Sequence, residues 1–404
     1  MHCSLRVLVS MLLGGIAVVA SGCREDAESP TAPEVTPALS TASAPLSFLS
    51  ISSGSYHTCG VAVNNRAYCW GNNQEGQLGD GTTTDRSRPV AVARDISFLQ
   101  VSAGYNHTCG VSTNNRVYCW GLNDFGQLGA TNFRYSKPVL VSGGFHFSQV
   151  NTGGRHTCAV TPVNLAYCWG DNSSGQLGDG TTTNRSTPVP VARGLSFRRV
   201  TAGSAHTCGV TTGNRGFCWG DNHQGKLGDG TITQRLKPVA VSGGLSFRLV
   251  LAGGAHSCGL STDNRAYCWG LNDHGELGDG TKTRRLSPVP VSGGRSFKQV
   301  VPSSVSHTCG VTTGDRAFCW GDNFAGALGD GTTTDRLTPV AVSGGLYFSG
   351  LNPGDHHTCG VTTSSRAYCW GHDGEGQLGD GASAAEACYG AIACSTKPRA
   401  VVGL

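Results

Sequence analysis

Apolar and polar residues alternate in short runs along most of the chain, and no stretch of the body shows helical periodicity or helix caps. The segment Ser97 to Val141 displays the unit. Phe98 to Ala103 alternates as a half-buried strand does. His107 to Thr113 is a second short strand and Arg116 to Gly121 a third, with the turn-forming Thr113, Asn114 and Asn115 between them. Leu122 to Ala130 is rich in glycine and reads as a loop. Lys137 to Val141 is a fourth extended run, opened by Pro138; proline is tolerated at a strand start or on an edge, which places this run outermost.

The unit repeats. Its Cys-Trp pair recurs at Trp70, Trp120, Trp169, Trp219, Trp269, Trp320 and Trp370, a period of about 50 residues. Such a period marks a solenoid, propeller or array. Four short antiparallel strands per repeat, seven times over, predict an all-β, seven-bladed β-propeller. An open β-solenoid is the other architecture, but its repeats are shorter, with one strand per face. The phase stays open: each repeat is one blade, or the two termini complete one blade together.

The ends read differently. Arg6 precedes Val7 to Ala20, an apolar run too short for a membrane span and suited to a signal-peptide core. It ends in Ala20-Ser21-Gly22-Cys23, which resembles the lipobox of bacterial lipoproteins, with Ala20 where leucine is usual. That resemblance implies a signal peptide over 1–22, lipidation at Cys23, and, with Arg24 following, sorting to the outer membrane, facing periplasm or surface. Residues 24–44 are dominated by Pro, Ala, Ser, Thr and Glu and cannot bury enough surface to offset their ordering entropy. Residues 23–44 are therefore expected to be a lipidated tether, and residues 45–404 the propeller.

The net charge is +4 and 14% of residues are charged, with no basic run, so nucleic acid is a poor partner. Each repeat carries two cysteines ten positions apart, on neighbouring strands around one turn: Cys59 and Cys69, Cys109 and Cys119, Cys158 and Cys168, Cys208 and Cys218, Cys258 and Cys268, Cys309 and Cys319, Cys359 and Cys369. Cross-strand partners approach within about 5 Å, close to what a disulfide needs. An exported chain lives in an oxidising compartment, so pairing is expected to persist. The histidine two residues before each first cysteine opens a zinc reading, but free thiolates in seven identical sites fit such a compartment badly. Cys388 and Cys394, in an insertion of the seventh repeat, are expected to pair and staple a protruding loop. With Cys3 removed and Cys23 lipidated, no thiol is left over.

The strings H-[ST]-C-[GA]-[VL], R-[AVG]-[YF]-C-W-G and G-[QKEA]-L-G-D-G-T resemble the repeat of the regulator of chromosome condensation family. The resemblance covers essentially all of residues 47–404. It implies the seven-bladed propeller and activity through protein contact. The family's nucleotide-exchange activity is not carried over, because its wedge insertion has no counterpart here.

Residues that recur in every repeat belong to the frame. The recurrent Asp80, Asp179, Asp229, Asp279, Asp330 and Asp380 offer too few oxygens for calcium and are expected to cap their turns or pair with an arginine six residues on, as Asp80 with Arg86. The histidines at 57, 107, 156, 206, 256, 307 and 357 are expected to pack between blades, since catalytic groups take unlike roles. No catalytic constellation, metal site or cofactor motif is found.

Function is sought where the copies disagree. Phe125, His223, His274 and Phe324 fall at one loop register after Trp-Gly, on different blades. A second variable register precedes the histidine: Tyr56, Tyr105, Arg155 and Asp355-His356. The second repeat brings Phe133, Arg134 and Tyr135, and the seventh has Tyr389 in its insertion. Phe125, Phe133, Tyr135, His223, His274, Phe324 and Tyr389 are thus the candidate contacts for a protein partner. The expected function is an extracytoplasmic, monomeric interaction module. The alternatives are a structural envelope protein without a ligand, and an enzyme or carbohydrate binder with its site at the channel mouth.

Overall fold

A computed structural model of the protein describes residues 46–192, 194–381, 386–388 and 392–403. The leader, Cys23, the tether and Tyr389 lie outside the described residues.

The first repeat folds into β1 (Phe48–Ser53), β2 (His57–Ala62), β3 (Ala67–Gly71) and β4 (Arg86–Ala91), hydrogen-bonded in chain order. Each later repeat builds the same sheet, the seventh with a fifth, outer strand (Glu386–Cys388), giving a seven-bladed, all-β propeller with no α-helix among the described residues. The phase is settled: every blade is one continuous repeat, and the seventh runs from Phe348 to Ala400 without a strand from the N-terminal end. Near the closure, Ser47 forms an isolated antiparallel bridge with Arg366 of the last blade.

β1 and its equivalents line the central channel, whose wall carries Ser52, Ser102, Asn151, Thr201 and Asn352. β4 is the outer edge, where Pro89 costs no ladder bond. β2 and β3 are buried along their whole length, because neighbouring blades cover both faces of each sheet. The hairpin between them turns on Asn65 at φ 61°, a conformation asparagine tolerates.

Cys59 stands directly opposite Cys69, with their Cα atoms 4.1 Å apart, and the two are bonded. The other six repeat pairs are bonded in the same register. Each bridge closes a loop of about ten residues and contributes somewhat under about 3 kcal/mol in the chain-entropy picture. Cys388 and Cys394 are also bonded. Cys394 is fully buried, and both sulfurs' residues pack on Ala325 and Phe324 of the sixth blade.

Blades are joined by a repeated belt. The fully buried Thr108 hydroxyl donates to the Gln77 carbonyl at 2.8 Å, so it must accept from His57 Nε2 at 2.9 Å. That assigns the proton to Nε2 and leaves Nδ1 bare and unpartnered. Trp120 Nε1 donates to the same carbonyl at 2.9 Å. Burial drives the His57 pKa down to about 3, so the ring is neutral. The belt closes the circle where His357 meets Thr58 and Trp70 meets the Gln377 carbonyl. Gly79, at φ +71°, lies under this indole: an added Cβ would sit 2.6 Å from Trp120 Nε1, so the repeated glycine serves close approach as well as the turn.

Candidate functional site

The loops after each Trp-Gly are held rigidly from within. Asn73 Nδ2 donates to Asp80 and to the Thr82 and Thr84 carbonyls, while its Oδ1 accepts Leu78 N–H at 3.0 Å. Asp80 accepts from Thr82 and forms an ion pair with Arg86 at 2.9 Å. Burial pushes the Asp80 carboxyl up, but hydrogen bonds from Thr82, Arg86 and Asn73 outweigh it and hold the pKa below the usual carboxylate value. The same aspartate–arginine pair recurs at Asp179, Asp229, Asp279 and Asp330, six residues apart in each case. In the seventh blade Asp380 reaches across the insertion to Arg399.

The second blade has Ala130 in place of this aspartate, and Tyr135 takes the arginine's place opposite Gly121. Tyr135 is half-buried and packs on the core there, so its first role is in the frame. Arg134 instead reaches Glu75 of the first blade at 2.7 Å.

The variable loop residues occupy two adjacent positions, not one. His223 and Phe324 are third after Trp-Gly; Phe125 and His274 are fourth. The fourth position faces the next blade: Phe125 lies under the Arg155 guanidinium at 4.9 Å, and His274 Nδ1 meets Asp335 at 2.9 Å. The Asp335 hydrogen bond raises the His274 pKa. Phe324 is half-buried against His356 at 5.1 Å. His223 is 82% exposed and bonded to Asp221 of its own loop, and Phe133 is 61% exposed. The register before the histidine also splits. Tyr56, Arg155 and His356 point to the rim, whereas Tyr105 lines the channel and bonds Ser204 two blades away.

The other face was not singled out from the sequence. It holds the hairpin turns and the opposite channel mouth, a cavity of about 720 Å³. Leu49 and Leu99, 55% and 53% exposed, border this mouth on the first two blades. Arg198, Arg199 and Arg248 border it on the fourth and fifth. Arg198 and Arg248 are braced by carbonyls of the following blade. Arg199 projects into the channel; water reaches it, yet the walls crowd it, and this burial lowers its pKa from the ordinary value. No acidic side chain lines the mouth among the described residues. Each of these residues sits one or two places after the repeat's core phenylalanine (Leu in the first two copies, Arg in the fourth and fifth), so comparison of that register across copies carries the signal.

Solved structures share the ring. Human WBSCR16 is 20% identical, with a TM-score of 0.73, covering 79% of this chain and 87% of that one. Prp20p of Saccharomyces cerevisiae, described with its binding to Gsp1p and histones, is 22% identical with a TM-score of 0.68, covering 78% and 82%. The ectodomain of the Arabidopsis thaliana receptor kinase ACR4 is 22% identical with a TM-score of 0.52, covering 81% and 96%. At such identities the likeness speaks for the fold alone. The family models reach further: the model of the RCC1-like domain matches residues 16–306, and that of the regulator of chromosome condensation (RCC1) repeat matches 298–327 and 354–377. Matched over most of its length and built as seven such repeats, the chain belongs to the family of the RCC1-like domain.

Proposed function

We propose that this protein is an exported, lipid-anchored interaction module that meets its protein partner at the turn-face mouth of the channel. The observation that carries the reading is the division of that mouth. Leu49 and Leu99 offer apolar surface on one side, and Arg198, Arg199 and Arg248 offer charge on the other, with no acid among the described residues lining it. Large exposed apolar groups beside fixed cations suit a protein segment that carries acidic and apolar side chains together. Three of the loop-rim candidates are less available: Phe125, Tyr135 and Phe324 already pack within the ring, whereas Phe133 is an exposed aromatic there. Export is supported by the Arg6–Ala20 leader, by the Ala20–Cys23 string and by eight disulfides, which persist in oxidising compartments.

The test is site-specific photo-crosslinking in the full chain, with the probe at position 99 or 133, carried out in membrane fractions. A discrete adduct at 99, lost on Arg198→Glu and absent at 133, is expected, and Cys23→Ser should leave the membrane fraction. An adduct at 133 that ignores Arg198→Glu moves the contact to the loop rim; no adduct at either position contradicts the module.

A further inference from the structure

One groove on the loop face differs from its six counterparts. It runs over the fifth, sixth and seventh blades, and four variable positions meet in it. His274 comes from the fifth blade's loop, Asp322 and Asp335 from the sixth, and His356 from the seventh. One ligand atom each of His274, Asp322 and Asp335 lies within 4.8 Å of the other two. His274 Nδ1 is 2.9 Å from Asp335 Oδ2, and His356 Nδ1 is 4.0 Å from Asp322 Oδ2.

The carboxylates are already aimed. Asp335 Oδ1 takes the Asn323 N–H at 3.0 Å and Asp322 Oδ1 takes the Phe324 N–H at 3.1 Å, so in each the second oxygen is turned to a histidine. A second observation is independent of this clustering. His356 Nδ1 is buried and makes no hydrogen bond; six belt histidines share a bare Nδ1, but each of them is held through Nε2 by a threonine or serine of the next blade, a tie His356 lacks. The Phe324 ring, 5.1 Å away, covers the His356 ring. Side-chain exposures of 47% for His274 and 33% for Asp335 leave the groove open for entry.

The same four positions elsewhere offer no such set. Over the fourth to sixth blades they hold Gln224, Leu271, Arg284 and Ser306; over the first to third, Glu75, Leu122, Arg134 and Arg155, where Glu75 and Arg134 form an ion pair instead. Packing of the ring therefore does not demand imidazoles and carboxylates here.

We infer that His274, Asp322, Asp335 and His356 form a binding site for one divalent transition ion of the zinc class. Two imidazole nitrogens and two carboxylate oxygens are a donor set zinc accepts. Tetrahedral bonds of about 2.0–2.1 Å put donor atoms roughly 3.3 Å apart, so His274, Asp322 and Asp335 need only small shifts, while His356, 4.0 Å from Asp322 alone, must swing inward to complete the set. Four protein donors leave no open position, which makes the site structural: the ion ties three blades across their loop ends rather than activating water. The sites raised and set aside on sequence, histidine with cysteine in every repeat, are a different matter, since those cysteines are bonded to each other.

The test is titration of zinc chloride into the disulfide-intact full chain after stripping with a chelator, read by calorimetry. One ion per chain is expected, weakened at least about tenfold in D335N and in H356A, and unchanged in H223A, whose exposed histidine lies in another loop. H274Q, altering an exposed side chain, serves should H356A fail to fold. Absence of saturable binding, or a one-to-one isotherm that survives in D335N and H274Q, overturns the site.

Discussion

Two kinds of contact cross the boundaries between blades, and they differ in how often they occur. The belt of His156, Thr207, Trp219 and the Gln176 carbonyl is fully buried and has counterparts around the ring. The groove of His274, Asp322, Asp335 and His356 is half-exposed and has none. Both are made of residues that do chemistry in other settings. In the belt, burial and hydrogen bonding consume that chemistry. In the groove, donors stay close together, partly open and incompletely satisfied. A recurring histidine in a repeat protein is thus a packing residue, and the informative one stands where its sister copies carry something else.

The largest expected effect breaks the belt by acid. His57, His107, His256 and His307 are held at pKa values of about 3 and His156 at about 4, by burial, against 6.5 for a free ring. Between those values the unfolded chain binds more protons than the folded one. Stability is therefore complete above pH 6.5 and falls below it by about 1.4 kcal/mol per pH unit for each histidine. Urea midpoints measured from pH 7.5 to 4.5 should drop steeply below about pH 6; a flat profile there would mean the rings are not buried neutral.

A smaller effect is expected from one belt member. Trp219 is fully buried against Phe197 at 5.6 Å, and Trp219→Ala should cost about 3–5 kcal/mol by denaturant unfolding. A change below about 1 kcal/mol would mean that blades contribute little to one another. The third blade already departs from the pattern: Trp169 Nε1 lacks the hydrogen bond that its counterparts make, next to the second repeat's altered loop.

How much of this was legible in the sequence follows from periodicity. Strand number, blade count, the cysteine pairs and the Asp80–Arg86 pair were readable because each is written many times at fixed spacing. The blade phase was not, since a cyclic repeat reads the same from either starting point. The groove was half readable: His274 was singled out as a contact and His356 noted in a second variable register, but the two fell in different registers, and Asp322 and Asp335 alone resemble loop drift. Treating Phe125, His223, His274 and Phe324 as one register also hid that the fourth position faces the next blade. The turn-face mouth was missed because Leu49, Leu99, Arg198 and Arg248 lie in the strands that alternation assigns to the frame. Only closing the ring brings the start of those strands to one opening.

The smallest effects make the sharpest test, because they separate frame from function within one pair of variants. Thr207→Val keeps shape but removes the hydroxyl between His156 and the Gln176 carbonyl; Arg198→Glu reverses an exposed charge at the mouth. The measurement is the urea midpoint and the yield of crosslinking from position 99, taken side by side for both. The account predicts that Thr207→Val loses about 1–3 kcal/mol and keeps the crosslink, while Arg198→Glu stays within about 0.5 kcal/mol and loses it. A crosslink lost by Thr207→Val at unchanged stability, or kept by Arg198→Glu, would contradict the division of this ring into a repeated frame and an unrepeated working surface.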